Sequence, residues 1–353
     1  MKSPEELRAT VESGRREAAG FVALPWVTAG LQERYGFRPY PGTLNLRLDA
    51  PEARSRWAGL RAGAGWWTLP PGEEGFCPAD CRPVRVEAGA FGAIVVPRVR
   101  GYPEDLVEVV AAENLRDLLG LRDGDPCRLE FPPPPAFACV LFDLEGTLVD
   151  FQWKLAEAEA ELRAAAADLG CEPEDLAAEN YAGIRRRALE RAASPETREA
   201  VDRRLGPIYD RYDLDALSRW RLREGARELL RDLRAGGAAL GLVTNIGRRA
   251  ACAALERFGL GHLLDAVVAR DDVERLKPDP EGIGRALREL GSPSPALMVG
   301  DSLSDLFAAR NAGIPVAVVS GGETPGERLR AHAPDHLVPC LPALRGVVFA
   351  SGP

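Results

Sequence analysis

Phe142-Asp143-Leu144-Glu145-Gly146-Thr147 decides how the larger part of this chain folds. The apolar run Cys139-Val140-Leu141-Phe142 leads straight into an aspartate, as a buried strand does when it surfaces at its carboxyl end. A second carboxylate, Glu145, comes two positions later, followed by a Gly-Thr turn. In an open α/β sheet the ligand crevice lies outside the carboxyl ends of the strands. Asp143 therefore stands at that edge, and Glu145, in the turn, reaches back over the same crevice.

Downstream of this stretch the pattern alternates between strands and helices. Strands are expected at Ala239–Val243, Ala266–Ala269, Ala296–Val299 and Val316–Val319. Helices are expected at Gly225–Arg234, Arg248–Phe258, Gly282–Leu290 and Asp305–Ala312. Between the first strand and this series, Lys154 to about Arg223 is rich in Ala, Glu, Arg and Leu and reads as almost wholly helical. The fold class expected is an α/β doubly wound parallel sheet with an inserted helical segment, 151–223.

Upstream, Pro132-Pro133-Pro134-Pro135 can continue neither a strand nor a helix and reads as a short, stiff linker. Before it lie short β-like runs separated by Gly and Pro. Leu44-Asn45-Leu46-Arg47-Leu48 alternates, as does Pro83–Glu87, and Phe91–Val96 is an apolar run. Glu113–Gly120 reads as a helix closed by its glycine. The Asp123-Gly124-Asp125 turn leads to a last strand, Cys127–Phe131. This half is expected to be a small, mainly β barrel-like domain. The organisation is thus a first domain at 1–131, a linker at 132–136 and a second domain at 137–353.

The chain has 353 residues, 46% hydrophobic and 28% charged, enough for two full cores. A net charge of -8 argues against a broad nucleic-acid or membrane surface, though not against a small basic pocket. The Glu- and Arg-rich start, Met1–Arg16, has no apolar core and does not read as a secretory signal. Seven cysteines, an odd number set mostly in apolar stretches, suggest a reduced, cytoplasmic protein. The three histidines, His262, His332 and His336, fall in no recognisable motif, which turns attention away from histidine chemistry. Lysine occurs only at positions 2, 154 and 277, so a retained Lys277 suggests a place that needs a compact ammonium.

The ends of the four strands in the second half carry polar groups. Asp143 and Glu145 follow the first, Thr244 and Asn245 the second, Lys277-Pro278 lies in the loop after the third, and Asp301-Ser302-Leu303-Ser304-Asp305 follows the fourth. Singly, each has an ordinary explanation as a helix cap or turn residue. Together, on one edge of a parallel sheet, they form a phosphoryl-transfer constellation. Asp143 suits a nucleophile, Glu145 a proton carrier, and Thr244 and Lys277 a clamp on phosphoryl oxygens. Asp143 and Asp301 suit Mg2+.

This region, about Phe137 to Val348, resembles the haloacid dehalogenase-like phosphatase superfamily. The resemblance rests on Asp143-Leu-Glu145-Gly-Thr147, Thr244, Lys277-Pro278 and Gly-Asp301-Ser-Leu-Ser-Asp305. It implies that Asp143 is the nucleophile and Glu145 the acid/base. It also implies that magnesium is held by Asp143, the Glu145 backbone carbonyl and Asp301 with Asp305 in support, and that the helical insertion is a cap selecting substrate. Asn245 is then expected at the substrate. Most members have Asp where this chain has Glu145, but enolase-phosphatases of the same superfamily also carry Asp-x-Glu-Gly-Thr.

In the first half the dense motif is Gly36-Phe37-Arg38-Pro39-Tyr40-Pro41-Gly42-Thr43-Leu44-Asn45-Leu46. Thr43 and Asn45, two apart on a strand, point the same way and offer two neutral oxygens. That pair suits a magnesium, or equally a stabilised turn. The stretch from about Val11 to Phe131 resembles the archaeal-type CTP-dependent riboflavin kinases. The matching segments are Pro41-Gly-Thr43-Leu-Asn45-Leu, Phe91-Gly-Ala-Ile-Val-Val-Pro97, Leu106-Val-Glu108, Asn114-Leu115-Arg116 and Leu121-Arg-Asp-Gly-Asp125. The resemblance implies Mg2+ at Thr43 and Asn45, flavin contact at Glu108, and nucleotide contact at Gly14, Glu17, Glu113, Asn114, Leu115 and Arg116. Two departures stand out. The family's glycine-rich nucleotide loop is here Gly14-Arg15-Arg16-Glu17-Ala18-Ala19, and Arg100 stands where the family has a threonine near the flavin.

The expected activity is bifunctional: CTP-dependent phosphorylation of riboflavin to FMN, and Mg2+-dependent hydrolysis of a phosphomonoester. The partners are these small molecules, with neither nucleic acid nor membrane. The alternative is a phosphatase acting on phosphoglycolate- or nucleotide-type substrates, with a first domain that binds flavin or nucleotide without catalysis.

Overall fold

A computed structural model of the protein describes residues 5–14, 17–63, 65–87, 89–177 and 179–349. The chain divides into two compact units: Met1–Ala136 with Leu230–Ala238 and Val348–Pro353, and Phe137–Leu229 with Ala239–Val347.

The first unit is an antiparallel β-barrel. Its strands are β1 (Glu5–Glu12), β2 (Leu44–Arg47), β3 (Trp67–Leu69), β4 (Ala79–Val86), β5 (Ala90–Pro97), β6 (Leu106–Ala111) and β7 (Pro126–Phe131). Pairing runs β4-β5-β6-β2-β1-β7 and returns from β7 to β4, so six strands close and β3 adds to the outer edge of β4. Closure follows from period-two side chains. Leu7, Ala9 and Val11 of β1, Val107, Val109 and Ala111 of β6, and Cys127, Leu129 and Phe131 of β7 enter one buried cluster with Leu44, Leu46, Ile94 and Val96. Pro83, which has no N–H for a ladder, sits where β4 has a partner on one side only, since β3 pairs with 79–81 and β7 with 85–86.

The charged segment at the amino terminus is the strand β1, whose inward face is hidden among Glu and Arg in the sequence. The helices Pro25–Tyr35 and Pro51–Ala62 were not expected; each opens on a proline at its first turn. Gly30 lets the first of them approach β3 closely, for a Cβ there would lie 2.6 Å from Leu69 Cδ1. Gly36 ends that helix in the left-handed conformation, with φ at 72°.

The second unit carries a six-stranded parallel sheet. Its strands are β8 (Cys139–Phe142), β9 (Ala239–Val243), β10 (Ala266–Val268), β11 (Ala296–Gly300), β12 (Val316–Val319) and β13 (His336–Val338), in the order β10-β9-β8-β11-β12-β13. Because β9 and β11 flank β8 on opposite sides, the order reverses at β8, and the crevice outside a reversal of this kind is where such sheets bind ligands. β8, β9, β11 and β12 are buried along nearly their whole length. The insertion is helical as expected, with helices Leu155–Ala167, Pro173–Ala177, Tyr181–Arg191 and Pro195–Arg219 around their own core of Leu162, Ile184, Leu205 and Tyr209. The longest opens with a capping box at Ser194 and Thr197. β13, only three residues long, was not expected.

Candidate active sites

β8 delivers Asp143 to the sheet edge, where its backbone N–H donates to the Val299 carbonyl of β11 at 2.9 Å. Lys277, from the loop after β10, inserts its ammonium between two carboxylates, 2.7 Å from Asp143 Oδ1 and 2.6 Å from Asp305 Oδ1. Burial alone disfavours a charged lysine, but these two carboxylates outweigh it and raise the Lys277 pKa. Asn245, expected at the substrate, lines the cavity and also braces this lysine. Its Nδ2 donates to the Lys277 carbonyl at 3.1 Å and its Oδ1 accepts from the Lys277 N–H at 3.0 Å. Thr244 lies beside it, buried, its Oγ1 accepting from Ile246 N at 3.3 Å.

Asp305 is fixed through its other oxygen. Oδ2 accepts from the amides of Asp301 and Ser302, at 3.2 and 3.1 Å, and from the Ser302 hydroxyl at 2.6 Å. Ser302 in turn caps the helix Leu303–Ala312, so the motif that presents the acids also starts the helix. Asp301 accepts from Thr147 Oγ1 at 3.0 Å and from Glu323 N at 2.6 Å. Glu323 was missed in the sequence. The clue was there in Gly321-Gly322-Glu323 just past β12, on the same sheet edge.

Asp143, Asp301 and Asp305 each offer an oxygen within 4.8 Å of the others. Glycines keep this space open: a Cβ at Gly146 would lie 2.1 Å from Asp301 Oδ2, and one at Gly322 2.0 Å. A set of hard oxygen donors fits Mg2+, and these three acids are the residues that would hold it. Burial, with Asp305 adding to it, pushes the Asp143 carboxyl up to about 6 against the pull of Lys277. Burial and the neighbouring Asp305 and Asp143 push Asp301 well up. Glu145 faces the same cavity with its Oε1 shielded from solvent and without a hydrogen-bond partner. Burial, then Asp213 and Asp143, hold its carboxyl well above the usual range.

The helical insertion lines the cavity with Phe151, Trp153, Leu155 and Tyr181. A buried network ties it to the sheet. Asp213, on the long inserted helix, accepts from Tyr181 OH at 2.9 Å, from Arg270 Nη1 at 2.7 Å and from Gly247 N at 2.9 Å. Asp213→Ala leaves Arg270 buried with one partner fewer and is expected to destabilise the protein by about 3–5 kcal/mol. Asp213→Asn, which still accepts from Tyr181, is expected to lose less; thermal unfolding of the two variants checks this.

In the barrel, the structure brings together Gly14, Thr43, Asn45 and Glu108. Thr43 Oγ1 donates to Glu108 Oε1 at 3.2 Å, and Tyr102 OH, not anticipated, donates to Glu108 Oε2 at 2.8 Å. The Asn45 amide is satisfied with its nitrogen toward Thr43 Oγ1 and Glu108 Oε1, at 2.8 and 3.2 Å, and its oxygen accepting from Gly14 N at 3.0 Å. Asn45 would have to turn its amide to offer oxygen to a metal beside Thr43. Gly14 fits tightly here, because a Cβ would fall 1.6 Å from the Asn45 amide.

The other expected nucleotide residues divide. Asn114 caps the helix Leu115–Leu119 by accepting from Arg116 N at 3.0 Å. Arg116 reaches the Glu12 carbonyl and pairs with Asp123 Oδ1 at 2.7 Å, which fixes the segment leading to Gly14. Leu115 buries its side chain in the barrel core, so a nucleotide at this segment would meet its backbone. Glu113 and Arg100 are exposed. Glu17 heads the helix Glu17–Val22, but its side chain, like Arg15 and Arg16, lies outside the described residues.

No helix among the described residues is long and apolar enough to cross a membrane. Residues 137–313 match the family described as haloacid dehalogenase-like hydrolase. Residues 11–131 match the CTP-dep_RFKase family, described as domain of unknown function DUF120. Pyrophosphatase PpaX of Halalkalibacterium halodurans is 36% identical over 126 residues, 35% of this chain and 59% of that protein. Riboflavin kinase of Haloquadratum walsbyi is 34% identical over 137 residues, 36% of this chain and 57% of that protein. The chain thus spans less than two thirds of the length of these curated relatives. Among solved structures, a predicted phosphoglycolate phosphatase from Haemophilus somnus is similar at 24% identity and a TM-score of 0.40, over 58% of this chain and 94% of that one. The chain belongs to the haloacid dehalogenase-like hydrolases through its parallel-sheet unit, and it carries ahead of that unit a domain of the CTP-dependent riboflavin kinase family.

Proposed function

We propose that the protein is a bifunctional flavin-pathway enzyme: a phosphomonoesterase working through an aspartyl phosphate on Asp143, and a kinase that transfers the terminal phosphoryl group of CTP to riboflavin. The observation that carries the first activity is Lys277 held between Asp143 and Asp305 beside Asp301, at the reversal of the parallel sheet. An oxygen of Asp143 attacks phosphorus, the bond to the leaving oxygen breaks, and Glu145 gives that oxygen its proton. Water then attacks the phosphorus of the aspartyl phosphate, passes a proton to Glu145, and frees phosphate and Asp143. Lys277 and Thr244 hold phosphoryl oxygens through both steps. Magnesium, when bound by the acidic cluster, would screen the negative charge of the substrate from Asp143.

The fused kinase-family domain favours a flavin-pathway substrate, either FMN or the phosphorylated ribitylaminouracil precursor of riboflavin. The precursor is the more economical, since a kinase beside an FMN phosphatase would run a futile cycle. Phosphate release from both compounds, set against phosphoglycolate and nucleotides, tests the link. Rapid hydrolysis of the latter alone would remove it.

For the kinase, Thr43, Asn45 and Glu108 form the polar cluster at the barrel, with Gly14 seated against it. Asn45→Ala removes the group that joins Gly14 to Thr43 and Glu108. It is expected to lower FMN formation about 10- to 100-fold, the scale on which residues supporting a metal site act, while phosphate release by the other unit is unchanged. The second reading, a barrel that binds without transferring phosphate, is favoured by Arg16 and Ala18, which stand where the family's nucleotide loop has glycines. Calorimetry separates the readings: riboflavin binding with no Mg2+-dependent CTP binding rejects the kinase.

A further inference from the structure

The helical insertion lines its side of the cavity with Phe151, Trp153, Leu155, Asn180, Tyr181 and Ala182, none of which carries a charge, and a substrate with its phosphoryl group at Asp143 would place its leaving group there. Among the described residues lining the cavity the single cation is Lys277, and its ammonium is already shared by Asp143 and Asp305. The other ionisable groups there, Asp143, Glu145 and Glu323, are acids. A carboxylate or second phosphoryl group on the leaving side would therefore enter a partly open cavity whose described lining offers it no free cation, so it would give up water without gaining a partner.

The polar atoms on this side are few and partly engaged. Asn180 Oδ1 accepts from Gly183 N at 2.9 Å, and Tyr181 OH donates to Asp213. Trp153 Nε1, shielded from solvent, has no partner. Its ring is held edge-on to Tyr181 at 4.8 Å between centroids, and Tyr181 in turn meets Tyr209 at 4.6 Å, so the donor is carried by a packed aromatic wall.

From this lining we infer that the phosphatase takes phosphomonoesters with an uncharged leaving group that bears a hydrogen-bond acceptor, and that Trp153 Nε1 reads that acceptor. The inference rests on the phosphatase reading of Asp143 and adds the substrate class to it. It sets this chain apart from pyrophosphate and phosphoglycolate, whose leaving groups are anionic.

The test compares kcat/KM of the full-length protein on glycerol 3-phosphate, phenyl phosphate, 2-phosphoglycolate and pyrophosphate, in wild type and Trp153→Phe. The two neutral-leaving-group esters are expected to exceed the two anionic compounds by about 100-fold or more, the scale of a site's unmatched polar group. Trp153→Phe keeps an aromatic side chain and removes the pyrrole ring with its N–H. It is expected to lower the ratio of glycerol 3-phosphate to phenyl phosphate by about 3- to 10-fold, one hydrogen bond's worth. A ratio of two substrates does not change with the fraction of protein folded. Equal or faster turnover of phosphoglycolate or pyrophosphate overturns the inference, as does an unchanged ratio in Trp153→Phe. If those outcomes appear while Asp143→Asn still abolishes every turnover, the phosphatase reading stands and only the substrate class falls.

Discussion

Asp143→Asn is expected to reduce phosphate release by about 10^4-fold or more, the scale of losing a catalytic nucleophile, and to leave FMN formation intact. The amide is close to isosteric with the carboxylate, so the strand end and its bond to Val299 are retained. The chemistry is lost for two reasons. The carboxamide is a poor nucleophile toward phosphorus, and it withdraws one of the two negative charges between which the Lys277 ammonium sits at 2.7 and 2.6 Å. Measuring phosphate and FMN in the same reaction separates the two activities. Loss of both in this variant would mean that the sites depend on each other.

Lys277→Met is expected to lower phosphate release about 10^2- to 10^3-fold, as removal of a preorganised stabilising group does, and also to weaken the fold. Methionine fills much of the same volume but leaves Asp143 and Asp305 facing each other, with Asp301 nearby, in a buried site. Breaking a buried ion pair by removing one partner costs about 3–5 kcal/mol. A ligand that binds only the folded state adds RT ln(1 + [L]/Kd), and a divalent cation replaces part of the missing positive charge. Mg2+ is therefore expected to raise the Tm of Lys277→Met by more than it raises that of the wild type. Equal Tm values for the two proteins without Mg2+ would show that the ammonium does not hold this cluster together.

Much of the second unit was legible because its strands are short apolar runs with turn residues after them. Cys139–Phe142, Ala239–Val243 and Val316–Val319 take the bounds expected. The residues at their ends then had to converge, since a parallel sheet puts all carboxyl ends on one edge. Asn245 lines the cavity as expected of its loop, and its hold on the Lys277 backbone is visible only in the hydrogen bonds. The Tyr181–Asp213–Arg270 network was not legible. Its members lie 32 and 57 positions apart, on elements whose packing no local pattern specifies.

The barrel was harder to read. β1 hides its Leu7, Ala9 and Val11 face among charged residues, and the helices after Leu24 and Ala50 contain glycine, β-branched and polar residues that blur their period. Thr43 and Asn45 do share a face, as the alternation required. The seat of Gly14 against Asn45, and Tyr102 on Glu108, appear only once the strands are closed.

If Asp143 carries the phosphoryl group, an acyl phosphate forms on its side chain during turnover. During turnover of glycerol 3-phosphate, rapid quenching into borohydride reduces an acyl phosphate to the alcohol, and peptide mass spectrometry locates it. A homoserine at position 143 is expected in the wild type with substrate, and none in Asp143→Asn or without substrate. Steady phosphate release with no reduced residue at 143, or with the reduced residue at another carboxylate, would contradict it.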